Sequence, residues 1–190
     1  HPNVKSYSFE RLSYHDANHC FCEYTQKKYS QDNGSSIFDA SEEQLLEWKA
    51  KVIGKYIKEY VDHIKKIKPG IEVWLHTHGK PSWGHQPNKF KEYGIDGVHP
   101  HTIQFKTSKE ELYRMLDYLS PNECVLHFCV RDKAPDNYPL WIKTPEIIEE
   151  TMDWLAEYPG ENFTGFLFFN ETAVSDKNKK AVYEQIKRFM

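Results

Sequence analysis

Short apolar runs alternate along this chain with longer stretches whose apolar positions recur every three or four residues, the periods of buried strand and amphipathic helix. Residues 4–10 (VKSYSFE) alternate weakly and predict a strand, and a polar loop rich in His and Cys follows to about Ser36. Ser41-Glu42-Glu43-Gln44 is a capping box, Ser at N-cap and Gln at N3. It opens a helix with Leu45, Trp48, Val52, Ile53, Tyr56, Ile57, Tyr60, Ile64 and Ile67 along one face. Lys65, Lys66 and Lys68 suit the negative end of its dipole, and Pro69-Gly70 ends it. Residues 71–75 (IEVWL) predict a second strand, 86–93 a short helix broken at Gly94, and 97–105 a third strand. Ser108-x-x-Glu111 is a second capping box, ahead of a helix with Leu112, Met115, Leu116 and Leu119 inward. Residues 124–130 (CVLHFCV) are almost continuously apolar, as in a strand covered on both faces. Thr144-Pro145 starts a helix bearing Ile148, Met152 and Leu155. A fifth strand over 163–169 and a last helix over 179–189 complete the pattern.

Strands alternating with helices build parallel sheets joined by right-handed crossovers. The 190 residues divide among five such units at 38 each, close to the roughly 30 of a minimal βαβ step. The fold class is therefore α/β. Part of a (βα)8 TIM-type barrel fits, since a whole barrel needs about 250 residues. An open doubly wound parallel sheet is the alternative. No G-x-G-x-x-G or G-x-x-x-x-G-K-[ST] follows any strand, which speaks against nucleotide binding. The chain reads as a single α/β domain or partial barrel, a segment of a longer chain that opens on His1.

Composition narrows the classes. With 39% hydrophobic and 28% charged residues, a sizeable core forms and disorder is excluded. A net charge of −3 gives no sign of a nucleic-acid or membrane-surface partner. No apolar run approaches the roughly 18–20 residues of a membrane span, and no signal segment opens the chain. Four cysteines are too few for a disulfide scaffold of this length, and Cys124 and Cys129 fall on opposite faces of a strand. A reducing, cytoplasmic location is expected. Aromatic residues reach 15%, enough for stacking on a flat ligand such as a sugar, although large aromatic cores give the same figure.

In either architecture ligands bind at the carboxyl ends of the strands. Glu10, Arg11 and His15 follow the first strand, and His76, His78, Trp83 and His85 the second. His99, His101 and Gln104 belong to the third, Arg131 and Asp132 to the fourth, Asn170 and Glu171 to the fifth. His76-x-His78 and His99-x-His101 would each point two imidazoles the same way, which suits a divalent metal and a metal-dependent hydrolase. Cys20 and Cys22, with His15 and His19, could complete a tetrahedral zinc site, with unligated thiols as the alternative and no cofactor required. Glu10 and Glu171 each end an apolar strand, a setting that raises a carboxyl pKa for acid/base work. Asp132 is a third candidate, kept ionised by Arg131. Glycoside hydrolysis needs such a pair about 5–10 Å apart.

The run Ser8-Phe9-Glu10-Arg11-Leu12-Ser13-Tyr14, followed by Cys20-Phe21-Cys22-Glu23-Tyr24-Thr25, resembles the fourth strand and loop of glycoside-hydrolase-like TIM-barrel proteins. There an acidic residue ends the strand and Cys-x-Cys-x-x-Cys opens the next helix. Downstream, IEVWLHT, GVHPHTIQF, a Thr-Pro helix start and GFLFFN resemble strands five to eight. The resemblance implies the C-terminal five units of the barrel, with a carbohydrate as ligand and Glu10 as proton donor. It implies Asp132 or Glu171 as partner carboxylate and Trp74, Trp83 or Trp141 as stacking platforms. His76, His78, Trp83, His99, His101, Gln104 and Arg131 would line the substrate. Two departures matter. Thr25 stands where the third Cys belongs, which weakens the zinc site that related β-galactosidases carry. The seventh strand (VLHFCVR) has no Glu at its end. A catalytically inactive carbohydrate-binding barrel is therefore a second expectation. A module completed by a homodimer or by the remainder of a longer chain is a third.

Overall fold

A computed structural model describes residues 3–10, 12–14, 20–79, 84–100, 108–132, 142–169 and 174–189. Five strands, β1 (Ser6–Phe9), β2 (Glu72–Thr77), β3 (Gly97–Pro100), β4 (Glu123–Cys129) and β5 (Phe163–Phe169), form one parallel sheet in the order β1-β2-β3-β4-β5. The helices are α1 (Glu23–Asn33), α2 (Glu42–Ile67), α3 (Lys109–Leu119), α4 (Pro145–Ala156) and α5 (Asp176–Ile186). The α/β class is as expected. A strictly sequential order is that of a barrel wall or a singly wound sheet; the reversal that defines a doubly wound sheet is missing from it.

Both capping boxes form. The Ser41 and Ser108 hydroxyls accept from the N3 backbone N–H groups, and Gln44 and Glu111 reach back to the N-cap N–H. Thr144 caps α4 with Pro145 at its first position. Two expectations are corrected. The presumed loop to Ser36 contains α1, whose eleven residues bury only Thr25 and Tyr29, so no apolar stripe announced it. Gly34 closes it at φ 71°, its N–H bonded to the Ser30 carbonyl at 2.8 Å. Conversely, residues 86–93 hold a single 3₁₀ turn, Pro87–Lys89, so no α-helix separates β2 from β3 among the described residues. The third strand is described over Gly97–Pro100, and the rest of its expected span lies in residues 101–107, outside the described residues.

Packing divides the chain into two compact units, His1–Val98 and His99–Met190. In the first, Tyr29, Ile37, Leu45 and Trp48 form a buried cluster joined by Phe21, Ala40 and Val52. Val73, Leu75 and Thr77 of β2 are fully buried on one face. Tyr60 of α2 packs edge-on against Phe9 of β1, so the odd positions of that strand face α2. The apolar stripe of α2 is narrower than its spacing implies, since Tyr56, Tyr60 and Ile67 are exposed. In the second unit, Leu116, Leu119, Leu126, Phe128, Ile148 and Met152 are buried. The β4–β5 register sets Leu126 beside Phe166 and Phe128 beside Phe168, whose rings meet edge to face at 6.0 Å. Among the described residues no helix is long and apolar enough to cross a membrane.

Candidate functional site

The strand ends of the first unit carry a polar face opposite α2. The parallel register pairs Ser8 with Trp74 and Phe9 with Leu75. One step further come Glu10 and His76, on the face that Trp74 occupies. Glu10 is exposed, while Trp74, His76 and His78 are half-buried. Gly97 of β3 is what admits the Trp74 ring, because a Cβ there would overlap its six-membered ring. A carboxyl, an imidazole and an indole thus stand at neighbouring strand ends. Arg11, His15, His19 and Trp83, also read as candidates, lie outside the described residues.

His85 is buried beneath this face and does not line it. Its Nε2 lies 2.8 Å from the Leu12 carbonyl, which can only accept, so Nε2 carries the proton. Its Nδ1 then accepts from the Thr77 hydroxyl at 2.8 Å, and Thr77 Oγ1 accepts from the Gly79 N–H at 3.2 Å. Burial pushes the imidazole pKa below its usual value. This network, which sequence reading missed, ties the segment after β1 to the end of β2.

Cys20 and Cys22 face each other before α1, their sulfurs 3.6 Å apart. Thr25 Oγ1 lies 3.3 Å from both sulfurs, so it occupies the corner of the cluster that a third Cys would take. Hydrogen bonds from the Thr25 hydroxyl and backbone N–H, and from Cys20, bring the Cys22 thiol down to about 7. The sulfur separation fits one edge of a zinc tetrahedron, roughly 3.8 Å for Zn–S bonds of about 2.3 Å. A hydroxyl is a poor third ligand, and no group of three or more His, Cys, Asp or Glu able to hold a metal occurs among the described residues.

In the second unit, Arg131, Asp132 and Lys143 gather after β4, with Arg131 and Lys143 buried. The Lys143 N–H donates to the Arg131 carbonyl at 2.7 Å. Asn178 of α5 donates through Nδ2 to the Val130 and Lys143 carbonyls at 2.9 and 2.8 Å. Asp132 Oδ1 accepts from the N–H of Ser175, the N-cap of α5, at 3.1 Å. This carboxylate therefore positions a helix start. Burial lowers the pKa of Lys143. His99 donates through Nδ1 to the Val125 carbonyl at 3.2 Å, which leaves the lone pair of the neutral ring on Nε2. Burial lowers its pKa as well. His101, Gln104, Trp141, Asn170 and Glu171 lie outside the described residues. Asn178 was the missed residue here, and its place three positions after a capping Ser gave no hint of a buried role.

No family model matches the sequence, and no curated protein matches it. Among solved structures, the chain is similar to a bee venom hyaluronidase in complex with a hyaluronic acid tetramer, at 10% identity and a TM-score of 0.41. That match covers 86% of this chain, which spans 59% of the length of the other.

Proposed function

We propose that this chain is a glycoside-hydrolase-like protein that holds a carbohydrate at the carboxyl ends of its strands. The observation that supports the reading is the β1–β2 register, which sets Glu10 and His76 one step beyond the paired Ser8 and Trp74. Under it, Trp74 stacks on a sugar ring, His76 and His78 bind hydroxyls, and Glu10 donates the proton to the leaving oxygen. For the second unit, considered by itself, Asp132 or Glu171 is proposed as a carboxylate and His99 and Arg131 as ligand contacts, while Glu171, Trp83, His101 and Gln104 lie beyond the described residues. The reaction requires no cofactor, and zinc, where bound, sits at Cys20 and Cys22 away from the sugar. All four cysteines are free.

Hydrolysis of aryl glycosides by the intact chain, abolished in Glu10→Gln while sugar binding persists, is the expected result. Binding without turnover in the unaltered chain assigns the inactive, sugar-binding form. Absence of both rejects the reading. β1 and β5 are the outer strands of the order, where a second copy or the rest of a longer chain would pair, and light scattering reports which.

A further inference from the structure

A second place suited to a ligand lies away from the strand ends, between α1 and α2. It is a cavity of about 460 Å³, within the roughly 300–1,000 Å³ of small-molecule sites. Four aromatic side chains line it: Tyr14, Tyr24, Trp48 and Tyr56. Their roles differ. Trp48 forms the floor, buried to 5% exposure, edge-on to Tyr29 at 5.1 Å and held by its Nε1–H on Asp32 Oδ2 at 2.9 Å. Tyr24 and Tyr56 form the rim, 69% and 48% exposed, one from each helix. Aromatic area left in water at the mouth of a cavity does no work in a core, and it is the surface on which a flat apolar face stacks.

The charges at the mouth narrow the ligand. Lys28 pairs with Asp32 at 2.5 Å, Lys51 with Glu47 at 2.8 Å and Lys55 with Glu59 at 3.8 Å. Each lysine has an acidic partner one helical turn away, Glu47 lying just outside the lining, so the rim is near charge balance and not strongly cationic. What it offers is alternating donors and acceptors around apolar rings. That is the complement of a polyhydroxylated, uncharged ring with one C–H face.

We propose that this cavity binds a neutral oligosaccharide, one sugar ring stacked on Tyr24 and Tyr56 and its hydroxyls bonded to the ion-paired rim. It would be an ancillary subsite of the carbohydrate reading above, on which it rests. The indole N–H signals of Trp48 and Trp74 in a nitrogen-15 spectrum of the intact chain, assigned with Trp48→Phe and Trp74→Phe, report the two places separately. Cellotetraose, maltotetraose and chitotetraose are the probes, with 2-naphthalenesulfonate as a flat anion. The expected result is a saturable shift of the Trp48 signal with at least one sugar. It should weaken at least tenfold in Tyr24→Ala/Tyr56→Ala, whose exposed side chains leave folding intact, and persist in Trp74→Phe. A sugar-induced shift confined to Trp74 overturns the cavity site and leaves the strand-end reading standing. Response of Trp48 to naphthalenesulfonate alone also overturns it. Silence of both indoles toward every sugar removes both sites.

Discussion

The Thr77 hydroxyl donates to His85 Nδ1 while the opposite ring nitrogen donates to the Leu12 carbonyl, so both nitrogens of a buried imidazole are committed in its neutral form. Protonation would place an N–H against a hydroxyl that is already oriented as donor and would bury a charge. The unfolded chain takes up a proton at this residue near its ordinary pKa of 6.5, and the folded chain only at lower pH. The stability it contributes is thus whole above about pH 6.5 and is lost as the pH falls toward the folded value. Thermal unfolding between pH 8 and 5 should show Tm dropping below pH 6.5. His85→Gln should flatten that drop, and the slope that remains contains His99, which shifts in the same sense. An unchanged profile in His85→Gln would contradict the assignment.

At Gly97 an added methyl would meet the Trp74 ring. Gly97→Ala is expected to destabilise the protein by about 1–3 kcal/mol through overpacking. The double variant Gly97→Ala/Trp74→Leu should recover most of it, and the double-mutant cycle in urea measures the coupling. Strict additivity of the two changes would show that the ring and the glycine do not meet.

Asn178 serves two buried carbonyls through one nitrogen. Asn178→Ala leaves both without this donor and should cost about 2–4 kcal/mol. Asn178→Asp, almost the same shape, should cost more, because a carboxylate oxygen then faces two carbonyl oxygens. Chemical denaturation ranks them, and Asp milder than Ala would sink the argument.

The cysteines should react in two classes. Cys22, exposed and brought down to about 7, is expected to alkylate with a pH midpoint near that value, and Thr25→Val should move the midpoint up. Cys124 is buried and pushed up to about 12 by desolvation, so it should stay silent until the chain unfolds. Mass spectrometry after timed iodoacetamide labelling separates the two classes. Zinc ligation at Cys20 and Cys22 shows as protection of both thiols that a chelator reverses.

What sequence reading recovered follows the range over which each signal acts. The caps at Ser41, Ser108 and Thr144 bind within three residues, so their motifs were sufficient evidence. Helix α1 has no such autonomy: its apolar contribution is Tyr29, and that ring finds its place only against Trp48, nineteen positions away. Tyr56 and Ile53 share one apolar stripe in sequence, yet one ends exposed and the other buried, a choice made by what α1 leaves uncovered. The reading of strand ends put Glu10 and His76 where the β1–β2 register does, one step beyond Phe9 and Leu75. It misplaced His85, whose partners, Leu12 beyond the end of β1 and Thr77 in β2, are joined only by the fold.

The sequential strand order bears on how the chain acquires its structure. Each strand after the first pairs with the one made just before it, so no pairing waits for a distant, later segment. Loop closure then stays inexpensive at every step, and a chain emerging from the ribosome can extend its sheet strand by strand. The longest span to close runs from Phe9 of β1 to Glu72 of β2, and α1 and α2 take up much of it before the strands meet.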